Sequence, residues 1–279
     1  MKKIIIFFMF LLFLGCKKGH FKENLNVGNG VSNSINGVSN KYLSTTDFLV
    51  PFSSFKNKIK NKNNETKVKR GIIIPVYFYD KTLWDKVIYA DIDEILIINP
   101  FNGPGDNIDS NYEEFISKLV LNSKKPIGYV YTKWGNRPIE EVKDDIDRWL
   151  VFYPDIKGFF LDEAASGNDK INYYIEIKNY IKSKGDYFIV LNPGVTPDKS
   201  YFDIADNIVV LENNISAVND INCSYSDKSS VIVYGAQESQ MEEIVKKYDC
   251  KYVYVTDDSL PNPYDTLPNY FGEEINALK

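Results

Sequence analysis

The stretch Gly158-Phe159-Phe160-Leu161-Asp162-Glu163 joins an unbroken apolar run to two consecutive carboxylates. An apolar run without polar alternation is typical of a strand buried on both faces, as in a parallel sheet. Charged groups at the end of such a strand are costly to bury unless they have a task. The stretch therefore predicts a parallel strand whose carboxyl end carries functional residues.

Seven similar runs, rich in β-branched and aromatic residues, occur along the chain, and helical patterns separate them. The eight runs are 72–79, 94–99, 127–132, 158–161, 187–192, 207–211, 231–234 and 252–255. Alternating strands and helices indicate βαβ units. Eight such units predict one (β/α)8 barrel, which usually takes roughly 200–250 residues. Sequence alone separates this barrel only weakly from an open parallel sheet.

Helix signals fall between these runs. Ser110-Asn111-Tyr112-Glu113 has the spacing of a capping box. Pro138 stands where the first residue of a helix would lie, and Gly185 has the position of a C-terminal cap. These signals predict helix starts at 110 and 138 and a helix end just before 185.

The first 16 residues predict an export signal. Lys2 and Lys3 precede a continuously apolar segment, 4–14, which is too short to span a bilayer. Leu12-Phe13-Leu14-Gly15-Cys16 resembles a bacterial lipobox, so we expect lipidation at Cys16 and a membrane-anchored, exported protein. The alternative is an ordinary secreted protein with a cysteine near its cleavage site.

Residues 17–69 are rich in Asn, Ser, Lys and Gly, and they predict a low-complexity tether in front of a barrel at 70–279. Residues 1–70 carry 13 Lys and Arg against 3 Asp and Glu, whereas residues 71–279 carry 20 against 35. The acidic barrel argues against nucleic acid as a partner and suits neutral or cationic ligands. An ordinary solvated surface is the simpler explanation of the same charge.

The cysteine and histidine content narrows the chemistry further. The single histidine, His20, lies in the tether, so the barrel cannot contain a Ser/His/Asp triad, a Cys/His dyad or a His-ligated zinc. We expect carboxylate chemistry with no metal and no cofactor. Cys223 and Cys250 precede the last two runs and should lie close together, opposite the active face. Export permits a disulfide, but neighbouring strand starts do not guarantee Cα atoms within the roughly 7 Å required.

The functional face of a (β/α)8 barrel lies at the carboxyl ends of its strands. Asp162, Glu163 and Glu212 follow apolar strands there and are the candidate catalytic residues. Paired carboxylates suit glycoside hydrolysis, in which one protonates the leaving oxygen and another acts as nucleophile, base or stabiliser. The alternatives are a magnesium or calcium site and ion pairing with lysines of neighbouring loops.

Aromatic and polar side chains near the same strand ends are candidate substrate contacts, because aromatic faces stack on sugar rings. We expect the amides of Asn99 and Asn192 to point into the cleft. For the aromatic residues, core packing is the alternative. The candidates are Tyr77, Asn99, Tyr131, Thr132, Trp134, Asn192 and Tyr234.

Ordered motifs run through nearly all of residues 71–258. They are Ile97-Ile98-Asn99-Pro100 with Gly103-Pro104-Gly105, Gly128-Tyr129-Val130-Tyr131-Thr132 with Gly135 and Arg137, the stretch quoted first, Leu191-Asn192-Pro193-Gly194 with Pro197-Asp198, and residues 206–212. These motifs resemble the spherulin 4 family, which is similar to glycoside hydrolase family 135.

The resemblance implies a (β/α) barrel that hydrolyses α-1,4-linked N-acetylgalactosamine within an exopolysaccharide, with essential carboxylates at Asp162, Glu163 and Glu212. Trp134 departs from the Tyr that is commoner in the family, and the lipoprotein tether is not a family feature. The acidic barrel suits a partly de-N-acetylated, cationic glycan. Two other functions remain open: an inactive, glycan-binding surface lipoprotein and a hydrolase of fully deacetylated polygalactosamine.

Neighbouring residues of an extended segment point to opposite sides, so we assign Asp162 as the inward group. It would stabilise the oxocarbenium-like transition state, by direct attack or by orienting the acetamido group of the substrate. We assign Glu212 as the general acid, with a pKa raised by its neighbours. Glu163 would position substrate or tune that pKa, and the two glutamate roles could be exchanged.

Overall fold

Eight parallel strands close into a barrel in the computed structural model, which describes residues 69–218 and 223–279. The strands pair in chain order, and β1 also pairs with β8. They are β1 (Gly71–Val76), β2 (Glu94–Ile98), β3 (Lys125–Tyr131), β4 (Gly158–Asp162), β5 (Phe188–Leu191), β6 (Asn207–Asn214), β7 (Ser229–Tyr234) and β8 (Tyr252–Val255). The predicted (β/α)8 fold and all eight strands are confirmed. The predicted signal peptide, Cys16 and tether residues 17–68 lie outside the described residues.

Six α-helices surround the barrel in the described part of the chain. They are α1 (Lys81–Ile88), α2 (Ser110–Leu121), α3 (Ile139–Phe152), α4 (Ile171–Lys184), α5 (Glu238–Lys247) and α6 (Phe271–Leu278). After β5 and β6 the described residues form only short 3-10 segments, at Lys199–Asp203, Ile215–Ala217 and Ser226–Lys228. Within 69–218 and 223–279, no helix has the length and apolar character needed to cross a membrane.

The helix starts differ slightly from the prediction. The N-cap of α2 is Asp109, not Ser110, and its carboxylate accepts hydrogen bonds from the backbone of Asn111 and Tyr112. A carboxylate at this position is a strong N-cap and also complements the positive end of the helix dipole. Pro138 is the N-cap of α3, one residue before the predicted place, and Gly185 caps α4 as predicted.

Close packing of α3 fixes the end of β3 beside the barrel mouth. A Cβ atom on Gly128 would lie only 2.6 Å from the ring of Trp149, so a larger residue would push α3 away. The Trp149 indole donates to the backbone oxygen of Tyr129 at 2.9 Å. Both ends of this contact are buried in the core between the strands and the helices.

The two barrel cysteines are joined at the amino ends of the strands. Cys223 and Cys250 form a disulfide, with their Cα atoms 5.3 Å apart. They precede β7 and β8, which confirms that they lie together opposite the predicted active face. The bond therefore ties the segment before β7 to the segment before β8.

Candidate active site

One amide nitrogen joins two carboxylates at the mouth of the barrel. Asn192, which follows β5, donates from Nδ2 to Oδ1 of Asp162 at 2.8 Å and to Oε2 of Glu212 at 2.5 Å. Its side-chain oxygen accepts a hydrogen bond from the backbone of Gly194 at 3.0 Å, which fixes the orientation of the amide. Because β5 lies between β4 and β6, the fold brings these three predicted residues together.

A β-bulge turns Glu212 into the barrel. The register of β6 against β7 shifts between Val209 and Leu211, so that Val209 pairs with Ser230 and Glu212 with Ile232. On β7, Ser230 and Ile232 are two residues apart and point to the same face. Their partners on β6, Val209 and Glu212, are three residues apart, so β6 contains one extra residue between them. The extra residue thus aims the glutamate inward, as bulges near active sites commonly do. The prediction that Glu212 follows the strand is wrong, because β6 continues to Asn214.

Two tyrosine hydroxyls donate hydrogen bonds to the carboxylate pair, and neither tyrosine was among the predicted site residues. Tyr129 donates from its hydroxyl to Oδ2 of Asp162 at 2.8 Å, and Tyr264 donates to Oε1 of Glu212 at 2.6 Å. Tyr77 lies between them, with ring centroids 6.0 Å from Tyr129 and 5.7 Å from Tyr264.

A sequence signal existed for one of these tyrosines. Tyr129 precedes Tyr131 by two positions in β3, so both lie on the same face of the strand. Tyr264 comes from the irregular segment between β8 and α6, where no periodic pattern predicts its direction.

The hydrogen bonds distinguish the protonation states of the two linked carboxyl groups. Burial raises the pKa of both Asp162 and Glu212. Asp162 accepts hydrogen bonds from three donors, namely Tyr129, Asn192 and the backbone of Glu163, and these bonds oppose the rise. Within the part of the chain that the structure describes, Glu212 accepts from two donors, and the charge of Asp162 raises its pKa further. The donors thus favour the ionised form of Asp162, and the neighbouring negative charge disfavours the ionised form of Glu212.

Glu163 has a different environment. It adopts a left-handed backbone conformation, with φ +48, and its side chain is partly exposed. Partial burial raises the pKa of Glu163, and the charge of Asp162 raises it further, while Lys133 opposes the shift. In the described part of the chain, no lysine or arginine forms an ion pair with Asp162, Glu163 or Glu212, so ion pairing does not explain these carboxylates.

Thr132 does not have the predicted substrate-binding position. Its side chain is 0% exposed, and its hydroxyl lies 2.9 Å from the backbone oxygens of both Asp162 and Glu163. The prediction that Thr132 contacts substrate is therefore wrong in this structure. Sequence reasoning placed it correctly at the strand end but could not show that it faces the neighbouring strand.

The other predicted contacts lie around the mouth. Asn99 uses its side-chain oxygen to accept from the backbone of Gly103 at 2.8 Å, which holds the loop after β2. Tyr131 is half-buried beneath the guanidinium of Arg137, 4.0 Å from its ring centre. Trp134 is 36% exposed. Tyr234 is half-buried. Burial raises the pKa of Tyr234, and the negative charge of Glu212 raises it further.

Comparisons with known proteins agree with this architecture. Residues 71–278 match the model of the Spherulation-specific family 4. A curated relative, Spherulin-4 from Physarum polycephalum, is 34% identical over 230 residues, covering 74% of this chain and 69% of that protein.

Solved structures share the fold. Sph3 from Aspergillus clavatus, whose crystal structure is described as a complex with GalNAc, superposes with a TM-score of 0.66 at 24% identity, over 75% of this chain and 97% of that one. The maltogenic α-amylase AmyB from Thermotoga neapolitana gives a TM-score of 0.50 at 10% identity, over 76% of each chain. With the family model spanning the whole barrel and a relative of this identity, the chain belongs to the Spherulin-4 family.

Proposed function

We propose that this protein is an endo-acting glycoside hydrolase that cleaves α-1,4-linked N-acetylgalactosamine or galactosamine polysaccharides. The observation that carries the proposal is the pair Asp162 and Glu212, joined by Asn192 at the barrel mouth and free of any cation partner among the described residues. Membership of the Spherulin-4 family and the fold shared with Sph3, described in complex with GalNAc, support this substrate class.

In the proposed mechanism the two linked carboxyl groups have separate roles. Glu212, the protonated member, gives its proton to the leaving glycosidic oxygen as general acid. Asp162, whose carboxylate accepts hydrogen bonds from three donors, stabilises the positive charge that develops on the sugar ring. It does so by direct attack or by orienting the acetamido group of the substrate. Glu163 stands beside Asp162 at the partly exposed mouth, where it positions the sugar or tunes the acid.

The spacing of the pair favours retention of configuration. Hydrogen bonds of 2.8 and 2.5 Å from one nitrogen keep the nearest carboxylate oxygens within about 5 Å of each other. Retaining glycosidases have carboxyl groups roughly 5–5.5 Å apart, whereas inverting enzymes need roughly 6.5–9.5 Å to admit a water molecule.

The decisive experiment incubates the purified protein with fully acetylated, partly acetylated and fully deacetylated galactosamine polymers and measures the oligosaccharides released. The proposal expects internal cleavage of an acetylated polymer that Glu212→Gln abolishes. Cleavage of the deacetylated polymer alone would indicate a polygalactosamine hydrolase. Binding to every polymer without any cleavage would indicate a glycan-binding protein and would reject the enzyme.

We also propose that the protein is exported and anchored to the membrane by lipid on Cys16. The support is in the sequence: two lysines, the apolar segment 4–14 and a cysteine in a lipobox-like context. Cys16→Ala should shift the protein from the membrane fraction to the soluble fraction of fractionated cells. An unchanged membrane fraction would reject the lipid anchor.

A further inference from the structure

Asp162 and Glu163 are adjacent in sequence, yet both lie at the mouth. In an extended strand they would point to opposite faces. Glu163 instead has φ +48, a left-handed conformation that is uncommon for residues other than glycine. Such a conformation persists only where surrounding contacts hold it. The contacts that hold this turn therefore determine where the two carboxylates stand.

The contacts come from the end of β3. The backbone of Thr132 donates to the backbone oxygen of Asp162 at 2.9 Å, and the backbone of Trp134 donates to that of Glu163 at 2.6 Å. The Thr132 hydroxyl lies 2.9 Å from both of these oxygens. Among the described residues, Thr132 is thus the one whose side chain has hydrogen bonds to the backbone of both acidic residues.

A buried tyrosine supplies the proton that orients this hydroxyl. The hydroxyl of Tyr174, on α4, accepts a hydrogen bond from the backbone of Ala165 at 2.8 Å and lies 2.9 Å from the Thr132 hydroxyl. Its own proton is then directed to Thr132, whose single proton is left for the oxygens of Asp162 and Glu163. Thr132 is 0% exposed and Tyr174 is 1% exposed, so water does not compete for these bonds.

We infer that Thr132 and Tyr174 are positioning residues, which hold the turn at Glu163 so that Asp162 and Glu163 both face the substrate. This role rests on the proposed hydrolase function. Both residues are buried, and both act through the backbone of the acidic pair. A loss of this support should affect turnover more than substrate binding, because transition-state stabilisation is sensitive to small displacements.

The test uses substitutions that change only the hydroxyl groups. Thr132→Val removes the hydroxyl and keeps the shape of the side chain. Thr132→Ser keeps the hydroxyl, and Tyr174→Phe removes the orienting proton. We expect Thr132→Val and Tyr174→Phe to lower kcat about 10-fold with KM within about 2-fold, and Thr132→Ser to restore most of the activity.

The matched control is Tyr270→Phe. Tyr270 is also buried, and its hydroxyl donates to the backbone oxygen of Ala236 at 2.8 Å, away from the acidic pair. This variant should lose a comparable amount of stability in thermal unfolding but keep the parent kcat. An equal loss of kcat in Tyr270→Phe and Thr132→Val would overturn the positioning role, as would a parent kcat in Thr132→Val.

A readout independent of activity separates this inference from the proposed function. In protein labelled with ¹³C at the glutamate carboxyl groups, NMR titration follows Glu163 directly. Loss of the hydroxyl should loosen the turn, expose Glu163 and lower its raised pKa toward the ordinary value, whereas Thr132→Ser should leave it unchanged. If the parent cleaves no polymer, the proposed function fails, and the titration still decides the role of Thr132. If Thr132→Val does not fold, Tyr174→Phe decides it in the same assay.

Discussion

Acidic side chains lie at both ends of the barrel, but their burial and their hydrogen-bond or ion-pair partners differ between the two ends. At the mouth, Asp162 and Glu212 are partly exposed and accept hydrogen bonds from uncharged donors. At the other end, Glu94 begins β2 with a fully buried side chain, 3.2 Å from the ammonium group of Lys124. Lys124 also donates to the backbone oxygens of Ala90 and Ile92.

A perturbed pKa alone does not distinguish these two regions. Burial raises the pKa of Glu94 to about 8 even though Lys124 opposes the shift, and burial also raises the pKa of Glu212. The difference is that Glu212 is partly exposed at the mouth, whereas Glu94 is fully buried. Titration behaviour therefore indicates a functional site only together with access and with donors placed to control the proton.

The largest expected effect is a difference in kcat between variants at the two ends of the barrel. Asp162→Asn and Glu212→Gln should each lower kcat by about 10² or more, since general acid and base groups contribute roughly 10²- to 10⁴-fold. Glu94→Gln should keep the parent kcat. The measurement is the release of reducing ends from galactosamine polymer, with thermal unfolding as the control for folding. The distinction between the two ends would be rejected if Asp162→Asn or Glu212→Gln kept the parent kcat. It would also be rejected if Glu94→Gln lost as much activity as they do.

The next effect concerns stability. The pKa of Glu94 is higher in the folded protein than in the unfolded chain, so the folded protein keeps a proton that the unfolded chain releases. The stabilisation by this proton is complete below about pH 4.5 and is lost as the pH rises through about 8. This group should lower the free energy of unfolding by on the order of 4 kcal/mol between about pH 5 and about pH 9.

Glu94→Gln cannot ionise and should flatten this pH dependence. Urea unfolding of both proteins at several pH values measures it. Parallel curves for the parent and Glu94→Gln would contradict the prediction.

A smaller effect tests the donors at the mouth. Tyr264→Phe removes a hydrogen bond that lowers the pKa of Glu212, so this pKa should rise and the alkaline limb of the kcat profile should move to higher pH. Tyr129→Phe should instead raise the pKa of Asp162 and move the acidic limb to higher pH. We expect kcat to fall about 3- to 10-fold in each case, because one hydrogen bond to a carboxyl group of the pair is lost. Identical shifts in the two profiles would show that the tyrosines do not act on separate carboxyl groups.

The smallest effect concerns sugar binding by exposed aromatic residues. Trp134 is 36% exposed at the mouth, and its backbone nitrogen donates to the backbone oxygen of Glu163 at 2.6 Å. Trp134→Ala should raise KM about 3- to 10-fold with little change in kcat, because ring stacking contributes on the order of 1 kcal/mol. Tyr89 is 72% exposed at the opposite end, and Tyr89→Ala should leave both constants unchanged. An unchanged KM in Trp134→Ala would place the sugar elsewhere.

Local patterns were enough to predict the fold class. Apolar runs of strand length, separated by helical periodicity, predict a parallel sheet covered by helices, and the structure shows that the eight strands close into a barrel rather than an open sheet. The position of Asp162 followed from the same reasoning, because it ends an apolar strand and the functional face lies at strand ends. The N-cap of α2 was missed by one residue because Asp109 and Ser110 both suit that position, and only the backbone geometry separates them.

The sequence by itself predicted a fold of eight βα units, indicated carboxylates as the candidate catalytic groups, and placed Asp162, Glu163 and Glu212 at one end of the strands. These conclusions depend on composition and on periods of two and 3.6 residues, which act locally. Only the tertiary structure decided the bulge that turns Glu212 inward, the bridging amide of Asn192, the hydroxyl groups of Tyr129 and Tyr264, and the buried position of Thr132. Each of these depends on the register and packing of segments distant in sequence, and a shift of one residue in a strand reverses the direction of every side chain beyond it.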